Sequence, residues 1–158
     1  MQNGSKKLEI ADIRKRIYHY CAYQERSHQE VKHKLYDLGL HSEEAGELIT
    51  QLIQEGYLNE ERFAKAFAGG KFRLKSWGKL KIVQALEGKG LTKNCINSGL
   101  KEIADVDYVK TIELLIDKKL EHVTEENPFV KRDKLASYVI QKGFEPELVW
   151  EIVKRKVK

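Results

Sequence analysis

The side chains of this 158-residue chain whose types and spacing suit chemistry are cations with aromatics among them, and that chemistry is the binding of anions. Residues 62 to 93 hold nine Lys or Arg against a single Glu, a local net charge of +8. Arg62, Lys65, Lys71, Arg73, Lys75, Lys79, Lys81, Lys89 and Lys93 carry that charge, with Phe72 and Trp77 interleaved. A charge run is often only a solvated helix face. An excess this one-sided is more than solubility requires, and its field, acting within a Debye length of about 10 Å, is the footprint expected for phosphates or an acidic protein groove. Phe72 and Trp77 have the ring faces that stack on bases in single-strand binders, although aromatics at helix junctions more often belong to a core. Arg62, with Glu60 and Glu61 beside it, fits a partner contact and a structural role equally well.

The remaining reactive side chains form no catalytic set. His19, His28, His33, His41 and His122 show no paired ligand spacing, and His28 and His33, five apart, do not share a helical face as residues three or four apart do. Cys21 and Cys95 are too few for a disulfide framework and read as two free thiols in a reducing compartment. There is no Gly-rich phosphate loop, nucleophile elbow or acidic metal loop in the sequence. The expectation is a protein that is not an enzyme and takes no metal or cofactor.

The elements that must position the basic block follow from periodicity. Three segments, centred on Gly39, Gly90 and Gly143, each read as an amphipathic helix, a glycine, one apolar residue, a capping position and a second amphipathic helix. With the glycines in register, Val31 aligns with Ile82 and Leu135, Leu35 with Leu86 and Val139, Ala45 with Ile96 and Val149, and Ile49 with Leu100 and Val153. Each glycine sits where a helix end calls for a left-handed residue. The following helices start at His41-Ser42, Thr92 and Glu145-Pro146, where a polar cap or a proline at the first position suits the free amides. Ser27 with Glu30 makes a capping box, and Leu58, ahead of an Asn59 cap, is placed to staple onto Phe63.

A third helix precedes each pair, over residues 7 to 24, 60 to about 75 and 107 to 122, so the unit has three helices. No segment alternates with period two, so the fold class is all-α: three tandem three-helix repeats in an elongated, slightly curved array. The boundaries are 1–57, 58–105 (the basic unit) and 106–158. Gly56-Tyr57-Leu58 and Asp105-Val106-Asp107 read as short joints, and 124 to 129 as a longer loop. Each unit buries little alone, so neighbours are expected to stack on one continuous core. Charge is segregated along this array: residues 1–23 carry +3, residues 24–61 carry −6, and residues 94–158 balance. No apolar run approaches the roughly 20 residues that span a bilayer, nor does the amino terminus read as a leader, so the expected location is the cytoplasm, with no membrane partner.

The middle unit carries a further signal. Asn59-Glu60-Glu61-Arg62-Phe63-Ala64, then the basic stretch, Trp77-Gly78, and Ile82 through Lys89-Gly90-Leu91 resemble the second repeat of the RecX family. Glu25-Arg26-Ser27 and Leu35 are similar to positions of its first repeat, and the resemblance covers about residues 10 to 155. It implies a monomeric regulator that lodges in the groove of the RecA recombinase filament on single-stranded DNA. There it would damp filament growth, ATP turnover, strand exchange and co-protease function, and so modulate DNA repair, recombination and the SOS response. The basic unit would meet acidic filament walls or DNA phosphates. A freestanding nucleic-acid-binding helical module is the alternative. Three departures stand out: Asn59 replaces a usual aspartate, Gly69-Gly70 is expected to bend or fray its helix, and Gly88 adds flexibility before the stop.

Overall fold

Helices with one apolar stripe can cover it only by packing on other helices, and this chain does so in three successive groups. The computed structural model describes residues 9–158, and every regular element among them is a helix. The first unit holds α1 (Ile10–Tyr23), α2 (His28–Asp37) and α3 (Ser42–Gln54). The second holds α4 (Glu60–Lys75), α5 (Lys79–Gly88) and α6 (Lys93–Leu100), and the third α7 (Asp105–Leu120), α8 (Pro128–Ile140) and α9 (Pro146–Lys156). The start expected at residue 7 lies outside the described residues. Every hydrogen bond and ion pair between units, among those residues, joins consecutive units, so the three stand in a row.

The stop signals act as the periodicity predicts. Gly39, Gly90 and Gly143 have φ of +100°, +80° and +97°. In the first two stops the residue after the glycine donates back to the last turn, Leu40 N–H to Leu35 O at 2.8 Å and Leu91 N–H to Leu86 O at 3.2 Å. The Ser27–Glu30 capping box is complete, and the Asn59 and Thr92 side chains accept from Arg62 N–H and Cys95 N–H.

Three local expectations are corrected. Asp105-Val106-Asp107 is not a joint but the first turn of α7, where two negative charges complement the positive end of the helix dipole. The loop after α7 ends at Asn127, which caps Phe129 N–H and lets Pro128 open α8. Gly69-Gly70 does not fray α4, which continues unbroken to Lys75. Packing holds it: Ala64, Ala68, Gly69 and Phe72 are buried, and α6 comes so near that a Cβ on Gly99 would lie 2.7 Å from Ala64 O.

The single continuous core is also corrected. Buried side chains of the first unit form one cluster around Ile17, Val31, Leu35 and Leu52, whereas the second and third units share another, from Phe63 through Ile112 to Val153. The staple expected of Leu58 and Phe63 divides accordingly, because Leu58 folds back into the first core and Phe63 faces the second. The joint between the first two units is polar. His28 N–H donates to Glu60 Oε2 at 2.9 Å, Arg62 Nε to Glu25 Oε2 at 2.6 Å, and Lys89 Nζ to Glu30 Oε2 at 3.2 Å.

The second and third units meet through backbone. Helix α5 opens at Gly78 without a side-chain cap, and its first amides are satisfied from the third unit. Gly78 N–H donates to Lys142 O at 2.8 Å, Lys79 N–H to Tyr108 Oη at 2.9 Å, and Leu80 N–H to Gly143 O at 2.9 Å. A Cβ on Gly78 would lie 2.2 Å from the Gly143 carbonyl carbon, and one on Gly143 would lie 2.4 Å from Lys81 Cβ. Tyr108 donates its own hydroxyl proton to Glu145 and packs between Phe72 and Phe144, its ring centroid 5.9 and 5.0 Å from theirs. Burial pushes its phenol above the ordinary tyrosine range.

Glycine substitutions separate these roles. Gly78→Ala should destabilise by about 2 kcal/mol, within the overpacking range of roughly 1–3, read as a lower urea midpoint. Gly46→Ala, at a helical site with open space, should stabilise by about 0.5–1 kcal/mol. A neutral Gly78→Ala would show that the joint yields.

Candidate binding surface

Residues two apart on a helix point to opposite sides, so the basic block cannot form one face, and it divides three ways. On one side Phe63, Phe67 and Trp77 form an aromatic ridge, with successive centroids 5.7 and 6.2 Å apart. Lys71 Nζ stands 5.5 Å from the Phe67 ring centroid and 4.9 Å from that of Trp77, and Lys81 Nζ stands 4.6 Å from Trp77. Lys89 Nζ is 5.8 Å from Phe67 and 5.9 Å from Phe63. Lysines over rings gain about 0.5–1 kcal/mol each at such half-exposed sites, and here they set three ammonium groups in a row.

Arg73, two residues past Lys71, faces the other way. It lines a groove of about 530 Å³ between the end of α4 and α7, whose far wall brings Lys110, Leu114 and Lys118. These third-unit lysines extend the basic surface beyond residue 93. Net charge concealed them, because the third unit balances overall, but their spacing of eight places them on one side of α7 with Leu114 between and would have revealed them.

Lys79 takes a third direction, into the joint with the third unit, 3.8 Å from Asp105 and 4.6 Å from the Tyr108 ring centroid. Lys75 is exposed in the last turn of α4, where a cation complements the helix dipole, Lys65 is half-buried, and Lys93 is exposed at the start of α6.

Several sequence candidates have structural duties. Arg62 donates from its guanidinium to Glu25 and, at 3.0 Å, to Gly56 O, spanning the joint between the first two units. Lys89 pairs with Glu30 across the same joint. Phe72, expected as a stacking platform, is 7% exposed and packs on Tyr108, which leaves no face for a base. Trp77 is half-buried against the second core under Lys71 and Lys81, so a base would reach its ring only by displacing them.

Cys21 is buried in the first core, and burial pushes its thiol up to about 11, so it is protonated and unreactive near neutrality.

Comparison with known proteins places these features in a family. Residues 59–100 match the family model described as RecX, second three-helix domain. The chain is similar to the regulatory protein RecX of Pelodictyon phaeoclathratiforme, 32% identical over 122 residues that cover 76% of this chain and 74% of that protein. It is 26% identical over 152 residues to the regulatory protein RecX of Oceanobacillus iheyensis, covering 94% of this chain and 56% of that one. The chain thus spans little more than half the length of the Oceanobacillus relative. The crystal structure of RecX from Lactobacillus salivarius shares the fold, with a TM-score of 0.76 at 24% identity over 93% of this chain and 97% of that one.

If Arg62 joins the first two units, a double-mutant cycle of Arg62→Ala with Glu25→Ala should give a coupling of about 0.5–1 kcal/mol in urea unfolding at low salt. The coupling should shrink at 1 M salt. A value near zero at both salt concentrations would leave the joint to the other contacts.

Proposed function

The chain belongs to the RecX family, and from that membership we propose that it is a non-catalytic regulator that binds the RecA filament on single-stranded DNA and restrains its recombinase and co-protease activities. By restraining the filament it modulates DNA repair and recombination. The observation that carries this reading is the set of cations with no carboxylate partner. Of the nine between residues 62 and 93, Arg62, Lys79 and Lys89 are in ion pairs among the described residues, and Lys65, Lys71, Arg73, Lys75, Lys81 and Lys93 are not. Cations left unpaired while carboxylates are plentiful are a surface for an anionic partner.

The row of units supports the mode of binding. An array whose units, among the described residues, bond only to their neighbours in sequence offers one long surface, suited to lying along a helical groove and touching more than one recombinase subunit. The aromatic ridge lies on its middle unit and the Arg73 groove between the middle and third units, and these are the surfaces that meet the groove wall or the DNA backbone inside it. The protein acts as a monomer in the cytoplasm and uses no cofactor.

The test is co-sedimentation with RecA filaments on single-stranded DNA, run beside the same DNA bare. Replacing Lys71, Arg73, Lys75 and Lys81 by glutamine should leave helix content intact and weaken filament binding at least tenfold. If the four meet phosphates, the log-log salt slope on DNA falls by about 2.8, at about 0.7 per contact. If they meet acidic recombinase side chains, affinity for bare DNA hardly changes. Binding to bare DNA equal to that to the filament favours the freestanding nucleic-acid module. Unaltered filament binding and inhibition by the folded variant would overturn the assignment of this surface.

A further inference from the structure

A further groove lies outside the basic block, in the first unit. It has a volume of about 720 Å³, runs between α1 and α2, and carries Lys15, Arg16, His19, Arg26 and Lys34 on its walls with no carboxylate. Helical spacing builds it. Lys15, His19 and Tyr23 succeed one another at intervals of four on α1, Arg16 and Tyr20 lie beside them, and Arg26 and Lys34 close the groove from the following turn and from α2.

Two features give the groove its sign: α1 comes from the stretch of residues 1–23 that carries +3, and several neighbouring carboxylates are engaged elsewhere. Glu25 and Glu30 turn away to Arg62 and Lys89 of the second unit, Glu60 reaches His28, and Glu55 pairs with Arg14. Among the described residues, Lys15, Arg16, Arg26 and Lys34 have no ion-pair partner. The groove is also ordered. Arg26 Nε donates to Tyr20 O at 2.9 Å, its guanidinium lies 3.7 Å from the Tyr20 ring centroid, and Lys34 Nζ stands 5.4 Å from the same ring. Tyr23, 76% exposed in the last turn of α1, contributes a ring that no other described aromatic or cation covers.

We propose that this groove binds a short run of single-stranded nucleic acid, with Lys15, Arg16 and Lys34 on successive phosphates and a base stacked on Tyr23. Cations interleaved with an uncovered ring are what a single strand requires, since the backbone supplies charge and every base has a π-face. An acidic peptide would use the cations and leave the ring unused. A duplex keeps its bases paired and stacked, out of reach of Tyr23. The volume lies within the roughly 300–1,000 Å³ range of small-ligand sites, enough for one or two nucleotides, with the strand continuing across the open ends. The inference concerns a different unit from the Lys71–Lys81 surface and does not rest on the recombinase reading.

The test is fluorescence anisotropy of the whole chain with a labelled oligothymidylate, without recombinase. The variant Lys15→Gln/Arg16→Gln/Lys34→Gln should bind at least tenfold more weakly, and its log-log salt slope should fall by about 2, at about 0.7 per contact. Tyr23→Ala should weaken oligothymidylate binding about fivefold or more and leave heparin binding unchanged, which separates stacking from charge. Lys15, Arg16 and Tyr23 are exposed and Lys34 is half-buried over Tyr20, so circular dichroism should match the parent and the melting temperature of the triple variant should fall by no more than a few degrees. Unchanged oligothymidylate binding by the triple variant overturns the proposal, as does a Tyr23→Ala variant that binds both probes like the parent. Loss of polyglutamate binding by the triple variant with oligothymidylate binding retained assigns the groove to an acidic peptide instead. Loss of oligothymidylate binding only in the Lys71, Arg73, Lys75 and Lys81 variant places the strand on the second unit, and that result leaves the regulatory reading standing.

Discussion

The close approach of Gly78 to Gly143 is the contact on which the arrangement of the second and third units depends. A helix start leaves amides unpaired, and α5 has no polar side chain to meet them. The third unit supplies two carbonyls and the Tyr108 hydroxyl instead, and those oxygens come within reach only because neither glycine has a Cβ. A helix capped by its neighbour is fixed in direction by that neighbour. Lys79, Lys81 and Trp77, all within three residues of Gly78, are therefore oriented by contacts with the third unit, and so is one end of the lysine row.

The two joints differ in kind, with consequences for how the array responds to its surroundings. The second joint joins backbone to backbone over a shared apolar core, and added salt does little to such contacts. The first relies on Arg62–Glu25, Lys89–Glu30 and the contacts of Glu60 with His28, between two units that keep separate cores. Ion pairs of this exposure weaken with ionic strength. Salt titrations of partner binding thus report on the first joint as well as on the partner, and the Arg62–Glu25 coupling is the means of separating them.

The segregation of charge along the chain has an internal meaning too. An acidic stretch beside a basic one reads as a statement about partners, yet part of each sign is neutralised by the other at the first joint. What remains is redistributed. The second unit keeps Lys71 and Lys81 over Trp77 and shares the Arg73 groove with Lys110 and Lys118 of the third. The first unit, with Glu25 and Glu30 engaged at the joint, shows a basic groove between α1 and α2.

The three helix stops and the starts capped by Ser27, Asn59 and Thr92 were legible in the residues because each is decided within about five residues of chain, and their recurrence made the repeat legible. A left-handed glycine at 39, 90 or 143, a Ser27–Glu30 box and an Asn59 cap need nothing from elsewhere. The resemblance of the middle unit to a family was legible too, since its segments follow one another in order within residues 59–91. Tertiary structure alone decided what depends on distant partners. Arg62 meets Glu25 across 37 residues and Lys89 meets Glu30 across 59, so no local pattern reveals that these cations are already paired. Phe72 is buried by Tyr108, Leu58 parts from Phe63 between two cores, and Gly69-Gly70 remains helical because its burial outweighs its propensity. Spacing tells which side of its own helix a residue lies on, whereas the neighbour it faces is set by how helices pack. For that reason the basic block was visible in the sequence, and its division into a row, a groove and a joint was not.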